Sequence, residues 1–572
     1  MSSAFLRKAG QFAADPVLRR WLRARLLRRT PGAPAFTPHR PPVLGEGWSG
    51  LAPEPPCAVF APLPPGPPAR PIRLRLPGAV LNLAPGEEAG LFDRPLPDLE
   101  ARLGLFRFAW VPLMAADDDP RWVGALWAAW RARHGVPDLE SWAWHPYTAA
   151  ERAINLLTFA ARHGLPEPVG DSLALLAVHG PAIAARLEYF GPHHTSNHLF
   201  NNGRGLALLG LALGLPACAD LGFALVLSEA ERIFRPSGLL REGSSHYHLL
   251  LTRSLASLWL AARRHGRPEA VPLEASLRAA AAQLPVLALP GGLPLIGDIS
   301  PDCPPSHLAG LLPGGDRASG WLALLDDADR AALTALLDGV AAGADPAADG
   351  WLRADFGAWA GLWHAEPEGW SMMPGHGHQD CGGFELHHDG EKLLIDRGRG
   401  SYAVAGEADP DVAAIAHNGL TVDRAEPYPP NRPYYAPAFR RAVAGPAVLA
   451  RAEDGVALAH HGFARLPGVG IAERHWRFTP QRLELRDRLD GHSRHEITRR
   501  LHTPCAVERA ERGVILTTPR GRRFHLAAGD APVLVVAEQS WQAYGEPAPA
   551  TRLEVTLFAR LPWTGLLTIE VL

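Results

Sequence analysis

Two histidines, His376 and His378, lie one residue apart in the stretch 375–380, at the start of an alternating, strand-like run. Residues two apart in a strand point to the same face, so both imidazoles can be aimed at one site. Imidazole is a metal ligand and also a general base near neutral pH. A polar turn before a strand has the same pattern, and the pair alone leaves these interpretations open.

Two polar runs in the first half of the chain, residues 193–204 and 241–248, each precede an apolar helical pattern. Their Ser and Asn residues are typical of helix caps, which is one interpretation of both runs. A cap requires only one such residue, whereas the first run combines Asn197 with His198, and the second places Tyr247 between two histidines near Arg241. Cationic neighbours make a phenol more acidic, so Tyr247 is predicted to suit proton transfer.

The elements that carry these residues have different periods in the two halves of the chain. From about residue 100 to 345, apolar residues such as Trp122, Leu126 and Trp130 recur with helical spacing, and short loops with Gly or Pro follow each helix. Successive helices with short loops favour antiparallel hairpins, which in series can curl into a toroid. From about residue 370 the period is two, with turn signals such as Asp389-Gly390, which is typical of an antiparallel sandwich.

The predicted fold class is therefore a multidomain α+β protein, with an N-terminal (α/α) toroid followed by a C-terminal antiparallel β-sandwich. A chain of 572 residues exceeds one ordinary core. The predicted domains are a basic helix and proline-rich arm packing on the toroid (1–99), the toroid (100–350) and the sandwich (351–572). The basic amphipathic segment 5–29 is expected to cap the first domain, and association with an anionic membrane surface is the alternative.

Composition limits the classes of function. A hydrophobic content of 47% and a charged content of 20% describe a globular protein, and a net charge of −2 provides no global field for nucleic acid. Five scattered cysteines without a CxxC pair do not resemble a disulfide framework or a cysteine-rich zinc site. No apolar run reaches the roughly 18 residues of a membrane span. Without an evident secretory signal, a cytoplasmic location is expected, with the periplasm as the alternative; a homo-oligomer is left open.

The polar stretches, taken in order over residues 190 to 505, resemble the heparinase II/III family of polysaccharide lyases and the related alginate lyases. The matching pieces are Asn197-His198, Glu242-Gly243-Ser244 with Tyr247-His248, Gly297-Asp298, His376-Gly377-His378-Gln379-Asp380, Leu394-Ile395-Asp396-Arg397-Gly398, His417-Asn418 and Leu501-His502-Thr503-Pro504. The resemblance implies a toroid packed on a β-sandwich, with a cleft between them in which a uronic-acid-containing polysaccharide is cut by β-elimination.

Elimination requires neutralisation of the uronate carboxylate, a base for the C5 proton and an acid for the leaving oxygen. On the family's pattern, Asn197 with His198 holds the carboxylate. Tyr247 protonates the leaving group and, in a syn geometry, also abstracts the proton. For the opposite epimer the base is His376 or His198, and the sequence does not choose between them.

Further roles follow from the same resemblance. His378, Asp396 and His417 match the family's metal site, and two nitrogens with a carboxylate suit a structural zinc ion that orients the strands presenting His376. No organic cofactor is expected. Because the substrate is anionic, the cleft is expected to be cationic. The polar residues predicted to bind substrate are Asn201, Arg204, Arg241, Glu242 and His248.

The predicted substrate is an acidic polysaccharide or oligosaccharide of the heparin and heparan sulfate, other glycosaminoglycan, alginate or exopolysaccharide type. One alternative is a glycoside hydrolase, which requires two carboxylates at the scissile bond. Glu242 is the only acid near either helical cluster, which makes hydrolysis the weaker interpretation. The other alternative is a non-catalytic protein that binds acidic glycans on the same scaffold.

Overall fold

The computed structural model describes residue 12 and residues 15–29, 37–341, 343–368, 375–403, 409–429, 432, 434–444 and 446–572. The start of the predicted basic segment and residues 30–36 of the predicted proline-rich arm lie outside this part of the chain. Within it, no helix is both long and apolar enough to cross a membrane.

The N-terminal helix α1, Pro16–Leu26, begins at Asp15, whose side chain accepts a hydrogen bond from the Val17 amide at 2.9 Å. Its buried residues Val17 and Trp21 pack against Tyr435. Because residues 434–444 belong to the second half of the chain, the prediction that this helix packs on the toroid is wrong. The arm that follows does run along the helical half, where the Leu63 amide donates to Leu165 O at 2.8 Å.

A helical region follows the small hairpin of β1, Ile72–Leu76, and β2, Ala79–Leu83. Its helices are α2 Leu99–Phe106, α3 Arg121–His134, α4 Pro146–His163, α5 Val169–Ala184, α6 His198–Leu213, α7 Pro216–Ile233, α8 Ser245–Arg264, α9 Ala270–Ala281, α10 Leu284–Leu287, α11 Pro305–Leu308 and α12 Asp327–Asp338.

Small residues let the central helices approach closely. A Cβ added to Gly222 of α7 would lie 2.2 Å from the Ala207 amide nitrogen of α6, and one added to Gly205 would lie 2.4 Å from Ala150 Cβ of α4. Large side chains fill the space around them, including a stacked pair formed by Trp127 and Trp130 of α3. The core of this half is therefore built from helix pairs in direct backbone contact, which holds α4, α6 and α8 side by side.

The described residues of the second half form antiparallel sheets and the α-helix α13, Pro437–Ala444. The strands are β3 Trp351–Phe356, β4 Trp359–His364, β5 Gly383–His388, β6 Glu391–Leu394, β7 Leu420–Val422, β8 Val448–Ala452, β9 Gly455–His460, β10 Val469–Thr479, β11 Arg482–Gly491, β12 Arg494–Thr503, β13 Ala506–Arg509, β14 Val514–Thr517, β15 Arg523–Ala527, β16 Leu534–Ala543, β17 Glu546–Arg560 and β18 Trp563–Val571.

Three sheets arrange these strands. The orders are β13-β14-β15-β18-β11-β10-β9-β8, β16-β17-β12-β7 and β3-β4-β5-β6. Their buried faces share one core that includes Trp363, Phe384 and Trp476. The predicted division into an α-rich first half and a β-rich second half is confirmed.

The predicted Asp-Gly turn joins β5 to β6. Asp389 and Gly390 have φ values of 47° and 79°, as the two central residues of a tight hairpin require. Residues of β5 are buried along its whole length. The hairpin thus holds the segment 375–382, which carries His376, at the edge of a rigid sheet.

Candidate active site

Asn197, Tyr247 and His376 meet where the first turns of α6 and α8 face the loops of the second half. Asn197 immediately precedes α6 but makes no capping hydrogen bond. Its Nδ2 instead donates to Glu242 Oε2 at 2.9 Å and lies 3.0 Å from His376 Nε2. The capping interpretation is thus wrong for Asn197, whereas it is right for Ser244, whose hydroxyl accepts a hydrogen bond from the Tyr247 amide at 3.1 Å.

His376 is held by carboxylates on both sides of its ring. Its Nδ1 lies 3.0 Å from Asp298 Oδ2, and its Nε2 lies 3.3 Å from Glu242 Oε2. The backbone is fixed as well, because the His376 amide donates to Glu242 O at 2.7 Å and the Asp298 amide donates to His376 O at 2.8 Å. Burial opposes protonation, but Asp298 and Glu242 outweigh it and raise the pKa of His376 to about 9. The imidazole is therefore a cation at neutral pH.

Tyr247 stacks directly on His376, with 3.5 Å between ring centroids and 12° between ring planes. Its hydroxyl lies 3.1 Å from that of Tyr402, which in turn donates to Ile299 O at 3.2 Å. Burial, with Asp298 and Asp302 nearby, raises the pKa of Tyr247 well above that of an ordinary phenol. Tyr247 is therefore a neutral phenol that can give up a proton.

The expectation of a more acidic Tyr247 is wrong because the flanking histidines point elsewhere. The Nδ1 of His248 accepts a hydrogen bond from the Leu240 amide at 3.2 Å, and its Nε2 bonds Ala280 O at 3.0 Å. The Nδ1 of His246 accepts from the Ser300 amide at 3.0 Å. Consecutive helical residues diverge by about 100°, so neighbours in sequence do not share a face.

His198 presents the second imidazole of the site, and 43% of its side chain is exposed. Its Nδ1 lies 2.7 Å from Glu188 Oε1, and Glu188 Oε2 accepts from Asn202 Nδ2 at 2.9 Å. Burial lowers the pKa of His198, but the Glu188 carboxylate outweighs it and the pKa is raised. The bond to Glu188 leaves Nε2 as the ring nitrogen that faces away from this carboxylate.

The residues predicted to bind substrate have different positions. Arg241 is partly exposed and donates to Thr195 O at 2.9 Å, at the edge of the site. Arg204, Glu242 and His248 are each only 1% exposed. Arg204 lies two turns below Asn197 on α6, where it donates to Glu151 Oε1 at 2.6 Å and to Asn201 Oδ1 at 3.2 Å. Arg204, Asn201 and His248 bond to interior partners and support the site from below. Glu242 holds Asn197 and His376 in place, so direct substrate contact is not supported for these four residues.

The predicted metal ligands lie close together, but their polar atoms are bonded to neighbours. His417 Nδ1 lies 2.7 Å from Asp396 Oδ2, the rings of His378 and His417 are 5.1 Å apart, and His378 Nε2 lies 2.8 Å from Asp298 Oδ1. His417 Nε2 is buried without a hydrogen bond. The donor types suit zinc, but among the described residues no group of three His, Cys, Asp or Glu side chains is arranged to hold a metal ion. The geometry of these side chains thus does not fit a zinc centre as it stands, and zinc stays a prediction.

Several residues at the site were not predicted from the sequence. Asp298, which could equally have been a buried structural residue, joins His376, His378 and Arg399, whose Nη1 donates to it at 3.1 Å. Tyr402 and Glu188 were missed altogether. Only Asp298 had a signal, since Gly297-Asp298 belongs to the stretches that carry the family resemblance; Tyr402 and Glu188 are single residues in no recognisable motif.

Residues 345–561 match the family model described as heparinase II/III-like, C-terminal. No curated protein has a matching sequence. Among solved structures, heparinase III superposes with a TM-score of 0.60 at 15% identity, covering 84% of this chain and 79% of that chain. A mutant heparan sulfate lyase from Pedobacter heparinus has a TM-score of 0.51 at 16% identity, covering 84% of this chain and 78% of the other. These similarities confirm the predicted fold of a toroid and a β-sandwich.

Proposed function

We infer that this chain, whose residues 345–561 match the heparinase II/III-like C-terminal family model, is a polysaccharide lyase that cleaves a uronate-containing acidic glycan by β-elimination. One observation carries the proposal: His376 lies between two carboxylates, which raise its pKa to about 9, and its ring stacks on the phenol of Tyr247. A cation, an amide and a phenolic proton donor at one point match the requirements of elimination next to a carboxylate. The family and the fold support the same activity.

His376 and Asn197 neutralise the substrate carboxylate in this proposal. Glu242 Oε2 accepts from both Asn197 Nδ2 and His376 Nε2, so one buried oxygen holds the two donors in place before substrate arrives. Donors fixed in advance stabilise the enediolate without reorganising during the reaction. Because Asp298 and Glu242 engage both ring nitrogens of His376 and raise its pKa to about 9, it acts on the substrate through its charge rather than as the base.

Tyr247 acts as the general acid, since a phenol whose pKa is raised holds its proton until the leaving oxygen develops charge. His198 is the base for the epimer whose C5 proton lies on the other face. Glu188 engages Nδ1, which leaves Nε2 as the proton acceptor. Glu188 is thus a positioning residue that fixes the tautomer of His198. A syn elimination in which Tyr247 also takes the C5 proton is disfavoured, because a phenol with a raised pKa keeps its own proton at neutral pH.

A hydrolase is disfavoured by the state of the two acids nearest His376. Both Glu242 and Asp298 are buried and accept hydrogen bonds from His376, and neither is open to a glycosidic oxygen or an attacking water. Two carboxylates flanking a scissile bond, which glycoside hydrolysis requires, are therefore absent from this group of described residues.

The test is incubation of the purified protein with a panel of uronate polymers, namely heparan sulfate, heparin, hyaluronan, chondroitin sulfate, dermatan sulfate, alginate and bacterial exopolysaccharides. Heparan sulfate comes first because one structural neighbour is a heparan sulfate lyase. Ultraviolet absorbance of the 4,5-unsaturated uronate should rise with at least one polymer. New reducing ends without that absorbance would establish hydrolysis instead. If no polymer of the panel gave either new absorbance or new reducing ends, the proposed activity would be refuted.

A further inference from the structure

A cavity of about 680 Å³ lies inside the helical half, behind the proposed active site. It is lined by α4 from Glu151 to His163, by α6 from Arg204 to Ala212 and by α8 from Arg253 to His265. Twelve residues of α8 correspond to about 18 Å along the helix. Tyr247 lies at the start of the same helix, so the cavity extends from the catalytic end of these helices towards their other end.

A layer of ion pairs separates the cavity from the site. Arg107 donates to Asp302 Oδ1 at 3.0 Å, and Tyr147 donates to Asp302 Oδ2 at 2.5 Å. Arg204 and Glu151 form the second pair. The ring of Tyr147 lies 4.7 Å from that of His198. The same charged layer is therefore the floor of the active site and one end wall of the cavity, and its acids are already neutralised.

Five arginines and five carboxylates line the cavity, so its formal charges balance, but they are not all paired with one another. At its other end Arg264 pairs with Asp326 and Asp329. Arg253 and Arg162 also line the cavity, and within the described residues neither makes a hydrogen bond or an ion pair. The Nε of Arg253 is buried without a partner. A partly buried guanidinium without a counter-ion is costly, and a bound anion would remove that cost.

Neutral donors lie near Arg253. Burial, followed by the charge of Arg253, lowers the pKa of His307 to about 4, so this imidazole is neutral and carries one N–H. His307 lines the cavity. His246 stands seven residues before Arg253 on α8 and thus on the same face. Its Nδ1 accepts from Ser300, so the proton is on Nε2, which is buried without a hydrogen bond.

Apolar side chains form much of the remaining wall, among them Trp321, Leu208 and Leu260. An aromatic face beside a cationic group is a common setting for a sugar ring that carries an acid, and the volume lies in the range of small-ligand sites. We propose that this cavity is a second anion site, separate from the active site, in which Arg253 with His307 binds the oxyanion group of a small acidic saccharide or a free inorganic oxyanion. Binding of an anion in this cavity does not require that the protein cleave a polymer.

The experiment is isothermal titration calorimetry of the full chain at low salt, first with sodium sulfate and then with a 4,5-unsaturated uronate disaccharide. Arg253→Gln should weaken binding about tenfold or more, as the loss of a charge-assisted hydrogen bond predicts. The matched control is Arg263→Gln on the same helix, because Arg263 stacks over Trp259 at 4.7 Å and does not line the cavity. Thermal melts of each variant establish that it is folded.

Two further variants separate the sites. Leu208→Trp fills the cavity without changing charge and should abolish disaccharide binding, while Asn197→Ala should leave cavity binding unchanged. Binding of sulfate without the disaccharide would identify a free oxyanion as the occupant. Absence of binding to both probes, unchanged binding in Arg253→Gln, or loss in Asn197→Ala alone would overturn the proposal. Because no polymer is cleaved in this assay, failure of the cavity proposal would leave the lyase proposal unaffected. Failure of the lyase proposal would likewise leave the cavity proposal unaffected.

Discussion

Asp298→Asn should move the alkaline limit of activity to lower pH. The pKa of His376 is about 9 against 6.5 for an ordinary histidine, and one pKa unit corresponds to about 1.4 kcal/mol. Asp298 and Glu242 thus favour the imidazolium by roughly 3 kcal/mol net of burial. Asp298 makes the shorter contact, at 3.0 Å against 3.3 Å. We therefore assign it at least about half of this energy, or roughly one pKa unit or more.

With the pKa lowered to about 8, the cationic fraction of His376 at pH 9 falls from about one half to about one tenth, while at pH 7 it stays close to one. The pH profile of kcat/KM reports the free enzyme, so its alkaline limb should move down by about one pH unit. Imidazole NMR of His376 measures the same pKa without substrate.

The matched control is Asp423→Asn, which removes a carboxylate 2.7 Å from His495 Nδ1 in another part of the sandwich. It should leave both the profile and the His376 titration unchanged. If Asp298→Asn left the titration of His376 where it was, the assignment of a clamped cation would be refuted. A wild-type His376 that titrates near its ordinary pKa would refute the cationic role even if the variant were inactive.

Three further outcomes are expected. Tyr247→Phe should lower kcat by about 100-fold or more while the melting temperature changes little, since only the hydrogen bonds of the hydroxyl to Tyr402 and Ser300 are lost; normal turnover would show that Tyr247 is not the general acid. Glu188→Gln removes the charge that raises the pKa of His198, so the acid limb of the pH profile should move to lower pH, and an unmoved limb would exclude His198 as the base. Elemental analysis tests the zinc prediction: because His378 and His417 are bonded to Asp298 and Asp396 in an arrangement that does not fit a zinc centre, we expect metal-free protein, and about one zinc ion per chain that His417→Ala loses would refute this expectation.

Much of the fold could be predicted because it depends on local patterns. Helical spacing of apolar residues, the alternation of the strands and the turn chemistry of Asp389-Gly390 each act over a few residues. The packing of helix α1 was predicted wrongly because it depends on a contact between distant parts of the chain. The apolar face of this helix, which includes Trp21, predicts that the helix is buried but does not identify the surface that buries it. In the structure that surface includes Tyr435.

The site was predictable only in part. Asn197, Tyr247 and His376 stand in stretches with a recognisable order, and the structure brings them together. Asn201, Arg204 and His248 stand in the same stretches, yet they point into the interior, since side-chain direction on a helix changes with each residue. Tyr402 belongs to no such stretch, and its place beside Tyr247 depends on a contact between residues 155 positions apart.

The sequence by itself determined which chemical groups are available and which local elements carry them: imidazoles, an amide and a phenol at helix starts and at the edge of a strand. Only the tertiary structure decided their protonation. Glu242 and Asp298 reach His376 from 134 and 78 residues away, and burial raises the pKa of Tyr247 and keeps it a neutral phenol at neutral pH. A pKa depends on distances between charges and on exclusion of water, and neither quantity exists until the chain has folded.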